Sequence, residues 1–272
     1  MEQTLDGIRF SMGKAFDFSF LRRYGTVFKV FDDQDSGNIC FGMRGADGTR
    51  VFVKYAGAVT ARGSVTPAEA VDALRRTIPI YRELRHPALI RLRETFEANG
   101  GLGLVFDWED GLCMGRMYPE SRAQFLKLPQ QAHLQVFDDI TAFLAHTARC
   151  GWLAVDFYDG SVMYDPARGK TTICDIDFFR RLPCVNDMGR MWGSSLFMSP
   201  EEFELDARLD ERTNVYTLGA MAFALFGDFA RTEEKWTLSE ARYQVAKRAV
   251  SDVPQMRQAS IGEFANAWKD AQ

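Results

Sequence analysis

Histidine and paired cysteine are scarce in this sequence. Among 272 residues there are 3 histidines and 5 cysteines, and no two cysteines stand in a C-x-x-C pair. Zinc sites and Ser-His-Asp triads need such residues in clusters, so neither chemistry is indicated. The odd number and wide spacing of the cysteines do not favour a disulfide framework. We expect reduced, mostly buried thiols at Cys40, Cys113, Cys150, Cys174 and Cys184.

Long apolar runs are also missing. The longest, residues 173–179 and 218–226, fall far short of the roughly 20 residues that span a bilayer. Residues 1–14 mix acids with single hydrophobic residues and have neither a cationic nor an apolar signal-peptide region, so we expect no signal peptide. These features predict a cytoplasmic protein without a membrane partner.

Neither sign of charge predominates. The 33 Lys and Arg residues against 37 Asp and Glu residues give a formal net charge of −4. No overall basic field exists to attract phosphate backbones, so nucleic acid is not an expected partner. A content of 46% hydrophobic and 26% charged residues predicts a folded chain with a full core and excludes a disordered or fibrous one.

The first part of the chain has the pattern of strands. Apolar and β-branched runs at 27–31, 39–43 and 51–55 are separated by Gly/Asp clusters, which predicts a three-stranded antiparallel meander. Thr66-Pro67-Ala68-Glu69 then opens a helix that continues over 70–84, where Pro79 should bend or end it. Two more strands are expected at 89–96 and 103–108.

Helical periodicity dominates the rest. Helices are predicted at 134–150, 215–226, 238–249 and 261–271, and two short strands at 161–164 and 170–174. The predicted fold class is therefore α+β, with a small β-rich N-lobe that carries one main helix and a larger, mainly helical C-lobe. The expected domain limits are an N-terminal extension at 1–24, the N-lobe at 25–108 and the C-lobe at 109–272.

A small set of charged residues stands at the ends of predicted strands. Lys54 closes a strand, Asp156 lies in the loop that follows the helix at 134–150, and Asp175 and Asp177 follow a short strand. Strand alternation would place Asp175 and Asp177 on one face. Grouped carboxylates suit a phosphate-bound Mg²⁺, which prefers oxygen ligands and seldom has a full protein cage.

In this order and spacing the motifs resemble those of the protein kinase family over about residues 25–268. Lys54 resembles the strand lysine and Asp156 the catalytic aspartate, with Ser161 five places on where the family has asparagine. Arg257 resembles the arginine that pairs with the glutamate of the A-P-E motif. Three segments complete the resemblance: the hinge at 104–109, the end of the activation segment at 193–201, and the start of a large buried helix at 214–219.

The resemblance implies a two-lobed kinase-like fold that binds ATP and Mg²⁺ and phosphorylates a Ser/Thr hydroxyl of a protein substrate. Asp156 would be the base, Lys54 would hold the phosphates, and Asp175 and Asp177 would bind the metal, with Asp175 favoured as the D-F-G aspartate. The other nucleotide- or metal-binding positions implied are Gly37, Ile39, Phe106, Asp107, Glu109 and Ser161.

The sequence departs from the family pattern at several of these positions. The turn Asp32-Asp33-Gln34-Asp35-Ser36-Gly37 occupies the Gly-rich loop position and keeps only Gly37; a solvated hairpin tip is the simpler interpretation. The helix glutamate position falls near Thr77, with Glu69, Asp72 and Glu83 as possible substitutes. Ala154-Val155 replaces His-Arg before Asp156, so no arginine is present there to read a phosphorylated activation segment.

Two alternatives therefore stay open beside a divergent Ser/Thr kinase. One is a catalytically impaired kinase-like binding module, which the acidic turn, Thr77 and Ser161 favour. The other is a small-molecule kinase of the same fold, which Ser199-Pro200-Glu201 together with Arg257 disfavours. The sequence does not predict the oligomeric state. Phe178 and Phe179 are expected core residues, and the tryptophans Trp152, Trp192, Trp236 and Trp268 are expected in the core or between the lobes. We do not expect His86 or His146 to be catalytic.

Overall fold

The computed structural model describes residues 1–271. The chain forms two compact units, each described by itself: unit 1 comprises Met1–Arg82 and Ile90–Glu109, and unit 2 comprises Glu83–Leu89 and the chain from Asp110 onward. Strands prevail in unit 1 and helices in unit 2, so the fold is α+β and compatible with a kinase-like fold. Over residues 1–271 no helix is both long and apolar enough to span a membrane. The domain limits expected from the sequence stay predictions.

Unit 1 is built on seven strands. They are β1 (Glu2–Leu5), β2 (Ile8–Ser11), β3 (Thr26–Phe31), β4 (Asn38–Arg44), β5 (Arg50–Ala56), β6 (Leu92–Ala98) and β7 (Gly101–Asp107). The first two form a hairpin, and the other five form an antiparallel sheet in the order β3-β4-β5-β7-β6. The predicted meander and the two further strands are confirmed, because alternating apolar residues fit a pleated sheet.

The N-terminal residues belong to the core of unit 1. Phe10, Phe18 and Leu21 are almost fully buried and join a cluster with Phe41 and Tyr55 on one face of the sheet. Phe18 makes ring contacts with three of these aromatic residues at centroid distances of 5.0–6.1 Å. Such aromatic pairs add to the stability that burial alone provides. One face of the sheet is therefore covered by residues 1–24.

Helix α1 (Pro67–Glu83) follows β5 and begins as predicted. The Thr66 hydroxyl accepts a hydrogen bond from the Glu69 N–H (3.3 Å), and the Glu69 carboxylate accepts one from the Thr66 N–H (2.8 Å), which is a capping box. Pro79 does not end the helix. A proline removes one helical hydrogen bond, but the burial of Ile80 and Tyr81 retains the last turn.

As far as residue 271, unit 2 contains five α-helices and seven short strands. The helices are α2 (Pro119–Phe125), α3 (Gln130–Arg149), α4 (Glu211–Phe226), α5 (Glu240–Ala249) and α6 (Ile261–Asp270). The strands are β8 (Leu112–Cys113), β9 (Trp152–Leu153), β10 (Val162–Asp165), β11 (Lys170–Ile173), β12 (Arg180–Arg181), β13 (Cys184–Val185) and β14 (Arg208–Leu209). β10 pairs with both β8 and β11, β9 with β12, and β13 with β14. The four predicted helices are confirmed, whereas α2 was not predicted.

Helix α4 lies at the centre of unit 2. Its residues from Thr213 to Phe226 are all buried, which is typical of a helix that is apolar on every side. A Cβ at Gly219 would lie only 2.7 Å from the Cβ of Ala249. Glycine therefore permits α4 and α5 to approach each other closely.

Some side chains expected in the core are exposed. Phe178 and Trp192 lie in the irregular segment after β11, with 38% and 51% of their surface accessible, and their rings contact each other. Neither residue belongs to a strand or helix that turns it towards a core. The core prediction for Phe178 is therefore wrong, and Trp192 is not in the core of unit 2; its expected place between the lobes stays a prediction. Phe179, Trp152 and Trp268 are buried as expected. Of the cysteines, Cys40 and Cys113 are buried, whereas Cys150, Cys174 and Cys184 are half-buried.

Candidate functional site

The loop that carries Asp156 is anchored to α4 in unit 2. The Asn214 side chain accepts a hydrogen bond from the Ala154 N–H (2.9 Å) and donates one to the Ala154 carbonyl (2.7 Å). Asn214 is 1% exposed, so these bonds form in a dry environment where an unmet polar group is costly. Asp156 has a φ of +57°, a left-handed conformation that is uncommon outside glycine and frequent at functional sites.

Backbone hydrogen bonds join this loop to the segment that follows β11. The Cys174 N–H donates to the Ser161 carbonyl (2.8 Å), and the Ile173 N–H donates to the Ala88 carbonyl (2.6 Å). Asp175 follows with a φ of +56°. The strand ends at Ile173, so strand alternation does not apply to Asp175 and Asp177, and the argument that put them on one face is wrong. Asp175 is exposed and Asp177 is half-buried.

The pKa of Tyr158 depends on burial and on the charges around the Asp156 loop. Burial raises the pKa of its hydroxyl well above the usual value, and the negative charges of Asp175 and Asp156 raise it further. Both carboxylates therefore lie within electrostatic reach of one phenol, which stays protonated and neutral. Asp156 and Asp175 thus act electrostatically on the same side chain.

The residues present fit a magnesium ion that is shared with a phosphate. The Ser161 hydroxyl is buried without a hydrogen-bond partner among the described residues, and such an oxygen is a suitable ligand. Residues 1–271 contain no group of three or more His, Cys, Asp or Glu side chains placed to hold a metal alone. Mg²⁺ is commonly bound by one or two carboxylates, with phosphate and water oxygens completing its shell. The unpartnered Ser161 hydroxyl fits that role, and Asp175 and Asp177 stay predicted ligands.

A buried ion pair supports the segment around Ser199. Arg257 donates two hydrogen bonds to Glu201 (2.7 and 2.9 Å), and its side chain is 0% exposed. The Thr213 hydroxyl donates a third to Glu201 (2.9 Å). Burial raises the pKa of Glu201, but the bonds from Arg257 more than offset it, so the pKa lies below its ordinary value. The pairing of Arg257 with Glu201 expected from the resemblance is confirmed.

Glu202 lies next to this pair in a contrasting environment. Its carboxylate accepts hydrogen bonds from the Ser199 N–H (2.7 Å) and hydroxyl (2.9 Å). Burial nevertheless raises the pKa of Glu202 to about 7. The segment thus contains a carboxyl group that changes charge near neutral pH.

In unit 1, Lys54 and Ile39 lie on opposite faces of the sheet. Lys54 is directly opposite Cys40 on one side and Leu104 on the other, whereas Ile39 is opposite Tyr55. Ile39 is 0% exposed and packs in the cluster that residues 1–24 cover. The structure therefore places Ile39 in the core and does not bring it together with Lys54.

The acidic turn at 32–37 has partners within unit 1. The Asp32 carboxylate accepts a hydrogen bond from the Ser11 N–H (2.6 Å), and Asp33 forms an ion pair with Arg62. Gly37 has a φ of +77°, and a Cβ there would lie 2.8 Å from Val65. Asp33 and Asp35 are exposed, as expected for a hairpin tip, whereas Asp32 instead ties the turn to the N-terminal hairpin.

Three residues of the predicted hinge were expected to bind the nucleotide. Phe106 and Asp107 end β7, and Glu109 follows it. The Phe106 ring is buried and contacts Phe52 and Tyr81. The Asp107 N–H donates to the Arg91 carbonyl (3.1 Å), and its carboxylate pairs with Arg91 and Arg93. Phe106 and Asp107 are therefore occupied in packing and pairing within unit 1. Glu109 is half-buried at the end of the unit.

The position of the helix glutamate carries no anion. Thr77 is 2% exposed, and its hydroxyl donates to the Leu74 carbonyl of its own helix (2.8 Å). Of the possible substitutes, Glu69 caps α1, and Glu83 accepts hydrogen bonds from Arg181 and from the Trp152 ring N–H (3.1 Å). Asp72 is exposed. Two of the three candidate substitutes thus have other structural roles.

Sequence reasoning did not assign a role to Asn214 or Tyr158. Asn214 begins the run Asn-Val-Tyr-Thr-Leu-Gly at 214–219, near the start of an otherwise apolar helix. A polar residue at such a buried position needs hydrogen-bond partners, and this signal could have identified it. Tyr158 could not be singled out from the sequence, because its importance depends on the approach of Asp175.

Comparisons with known proteins place this geometry in context. No protein-family model matches the chain. The serine/threonine-protein kinase ATG1b of Arabidopsis thaliana is 28% identical over 161 residues, which is 57% of this chain and 21% of that protein. Calcium-dependent protein kinase 5 of Plasmodium berghei (strain Anka) is 22% identical over 157 residues, 57% of this chain and 27% of that protein. The matched stretch thus spans about a fifth to a quarter of these curated relatives. The chain is distantly similar to Ser/Thr protein kinases and is kinase-like in general.

Proposed function

We propose that the chain is a divergent Ser/Thr protein kinase that transfers the γ-phosphoryl group of ATP to a hydroxyl of a protein substrate. The observation that carries this proposal is the connection of two loops in unit 2. The Asn214 side chain fixes Ala154, and the Cys174–Ser161 backbone bond joins the Asp156 loop to the segment that begins with Asp175. Phosphoryl transfer depends mainly on positioning and electrostatics, which such fixed loops supply.

In the proposed reaction Asp156 accepts the proton of the substrate hydroxyl. The hydroxyl oxygen then forms a bond to the γ-phosphorus while the bond from that phosphorus to the β–γ bridging oxygen breaks, and ADP leaves with the electron pair. Lys54 holds the α- and β-phosphates. Asp175, Asp177 and Ser161 would hold Mg²⁺, and the ion would supply neutralisation of charge on the phosphate oxygens.

A catalytically impaired binding module is the second candidate. The specific observation in its favour is the uncharged Thr77 on α1, together with the other roles of Glu69 and Glu83. In protein kinases the strand lysine and the helix glutamate must both be in place for transfer. A chain without that anion could still bind a nucleotide and act on a partner protein.

Incubation with Mg²⁺ and γ-labelled ATP tests the proposal, with transfer measured on the chain itself and on a generic protein substrate. We expect labelled protein from the wild type and a loss of at least about 100-fold in Asp156→Ala and Lys54→Met. Asp252→Ala, which changes an exposed aspartate, is the matched control and should retain the wild-type rate.

Thermal melting in the same buffers separates the two candidates. A ligand specific to the native state raises apparent stability, so Mg·ATP should raise the melting temperature if it binds. A higher melting temperature with Mg·ATP but no phosphate transfer would contradict the kinase proposal and favour the binding module. Label on a small molecule with unmodified protein would contradict the protein-kinase proposal.

A further inference from the structure

A strained turn after α4 presents an aromatic ring at the surface of unit 2. Asp228 and Phe229 both have positive φ, +47° and +64°, although neither is glycine. Consecutive left-handed residues cost free energy, and such strain persists where the surroundings fix the chain. The Phe229 N–H donates to the Phe223 carbonyl (3.0 Å), and its ring contacts that of Phe197. Phe229 is therefore held in a defined place.

Two guanidinium groups lie over this single ring. The Arg116 group is 4.4 Å and the Arg122 group 4.8 Å from the ring centroid, within the range of a cation–π contact. Like charges on one ring repel each other, so an anion is expected to share the site. Asp159 and Asp228 are the acids nearby, at 3.9 and 3.7 Å from Arg122.

These two acids lie closest to Arg122, and Arg116 also attracts the buried Asp159 carboxylate, which opposes the rise in the pKa of Asp159 that burial causes. The Arg122 side chain is 12% exposed, and it also donates to the Met114 carbonyl (2.9 Å). Arg116 is exposed, and no hydrogen bond or ion pair of its guanidinium is found among residues 1–271. Asp159 is 4% exposed, and its Oδ2 has no hydrogen-bond partner in the described chain, so it acts on Arg116 from the interior while the Arg116 side chain stays exposed to solvent.

The surface adjoins the loop of the candidate base. A Cβ at Gly115 would lie 2.8 Å from the Cα of Gly160, so the residue before Arg116 packs directly on the loop that contains Asp156. Gly193 packs on Asp156 from another side, where a Cβ would lie 3.6 Å from its Cα. Arg231 supports the same segment, because its guanidinium donates to the Leu196 carbonyl (3.4 Å) and to the Tyr216 hydroxyl (2.9 Å).

We propose that Arg116, stacked on Phe229 beside Arg122, binds an acidic side chain of the protein substrate close to the accepting hydroxyl. The inference rests on the proposed function and names its substrate class: serine or threonine next to aspartate or glutamate. The chain as a whole carries a net charge of −4 and would repel an acidic peptide. A preference for acidic peptides would therefore arise from a local surface.

Fluorescence anisotropy on the full chain without nucleotide tests this inference. Two labelled peptides contain one serine each and differ only in flanking aspartates or lysines. We expect the wild type to bind the aspartate peptide at least about fivefold more tightly, because several exposed charge pairs contribute together. Arg116→Glu should abolish or reverse this preference, whereas Arg116→Lys should keep part of it. Arg149→Glu, at an exposed arginine that ends α3, should leave it unchanged.

Equal binding of both peptides, a preference for lysine, or no binding at millimolar peptide would each overturn the inference. An undiminished preference in Arg116→Glu would do the same. Because the assay needs no catalysis, its failure is distinguishable from that of the proposed function. Phosphate transfer without an acidic preference overturns this surface alone, and an acidic preference without transfer overturns the kinase activity alone.

Discussion

The two units differ in how many residues of the kinase-like pattern keep the interactions expected of them. In unit 2, Arg257 is paired with Glu201 inside the protein, and Asn214 supports the backbone before Asp156. In unit 1, the turn at 32–37 is acidic and tied to other loops, and α1 has Thr77 where an anion is expected. The backbone before Asp156 keeps its hydrogen-bonded support, whereas the residues expected around the phosphates differ from the kinase-like pattern.

This difference shows why the resemblance alone does not settle activity. A fold can retain its internal frame while the residues that contact a ligand change, so function must be argued from the site. If catalysis persists, it depends on the loops of unit 2 more than on a Gly-rich turn. The following variants test each side of the comparison, from the largest expected effect to the smallest.

Phe18→Ala tests whether residues 1–24 are part of the core of unit 1. Removing a buried ring leaves a cavity, and we expect a loss of about 4 kcal/mol in the free energy of unfolding measured with urea. Phe178→Ala, at a ring that is 38% exposed, should cost less than about 1 kcal/mol. Equal costs for the two variants would show that the N-terminal segment is not part of this core.

Arg257→Met tests the buried frame of unit 2. It leaves Glu201 charged and unpaired in the interior, which should cost about 4 kcal/mol of unfolding free energy. Arg75→Met removes an exposed partner of Glu97 and should cost less than about 1 kcal/mol. A small effect for Arg257→Met would mean that the pair does not support the segment around Ser199.

Glu202 should make stability depend on pH. Its pKa of about 7 in the folded protein lies above the ordinary carboxyl value. The contribution of the protonated Glu202 carboxyl to the free energy of unfolding is therefore fully present below about pH 4.5. It is lost as the pH rises through about 7, and the total loss is about 3 kcal/mol. Glutamine does not ionise, so the free energy of unfolding of Glu202→Gln should not fall in this way. Measured in urea titrations, the difference between Glu202→Gln and the wild type should grow in favour of the variant from pH 5 to pH 8.

Glu204→Gln changes an exposed neighbour and is the control for this effect. Its stability should run parallel to that of the wild type across the same pH range. If Glu202→Gln also runs parallel to the wild type, the pKa of Glu202 is not raised.

Asn214→Ala tests whether the hydrogen bonds from α4 to Ala154 support the loop that carries Asp156. It leaves the N–H and the carbonyl of Ala154 without their partners in a buried place, and we expect a cost of about 2 kcal/mol. Phosphate transfer should fall further than stability explains when assayed well below the melting temperature. Gln135→Ala removes one exposed bond to Gly169 and should change neither quantity by a measurable amount.

Ser161→Ala has the smallest expected effect on stability and opposite signs in two assays. Its hydroxyl is buried without a partner, so its removal should raise the free energy of unfolding by about 1 kcal/mol in the absence of ligand. Stabilisation by Mg·ATP should fall, because an oxygen ligand is lost. Unchanged Mg·ATP stabilisation would show that Ser161 does not contact the metal.

Much of the fold could be predicted from local patterns. The meander at 27–55, helix α1 with its capping box and the apolar helix α4 all depend on residues close together in the chain. The packing of residues 1–24 could not, because Phe10 and Phe18 find their partners on strands later in the chain.

The candidate site divides in the same way. The pairing of Arg257 with Glu201 followed from motif order, and the structure confirms it. The placement of Ile39, the exposure of Trp192 and the surroundings of Tyr158 depend on sheet facing and loop paths. No spacing in the sequence encodes these features.

Transfer of label from γ-labelled ATP to protein is the most direct test of the central claim. The account predicts Mg²⁺-dependent transfer by the wild type that is lost in Asp156→Ala and in Asp175→Asn, with both variants folded by their melting curves. Label on protein from wild type and Asp156→Ala alike, or no label from any form despite intact folding, would contradict it.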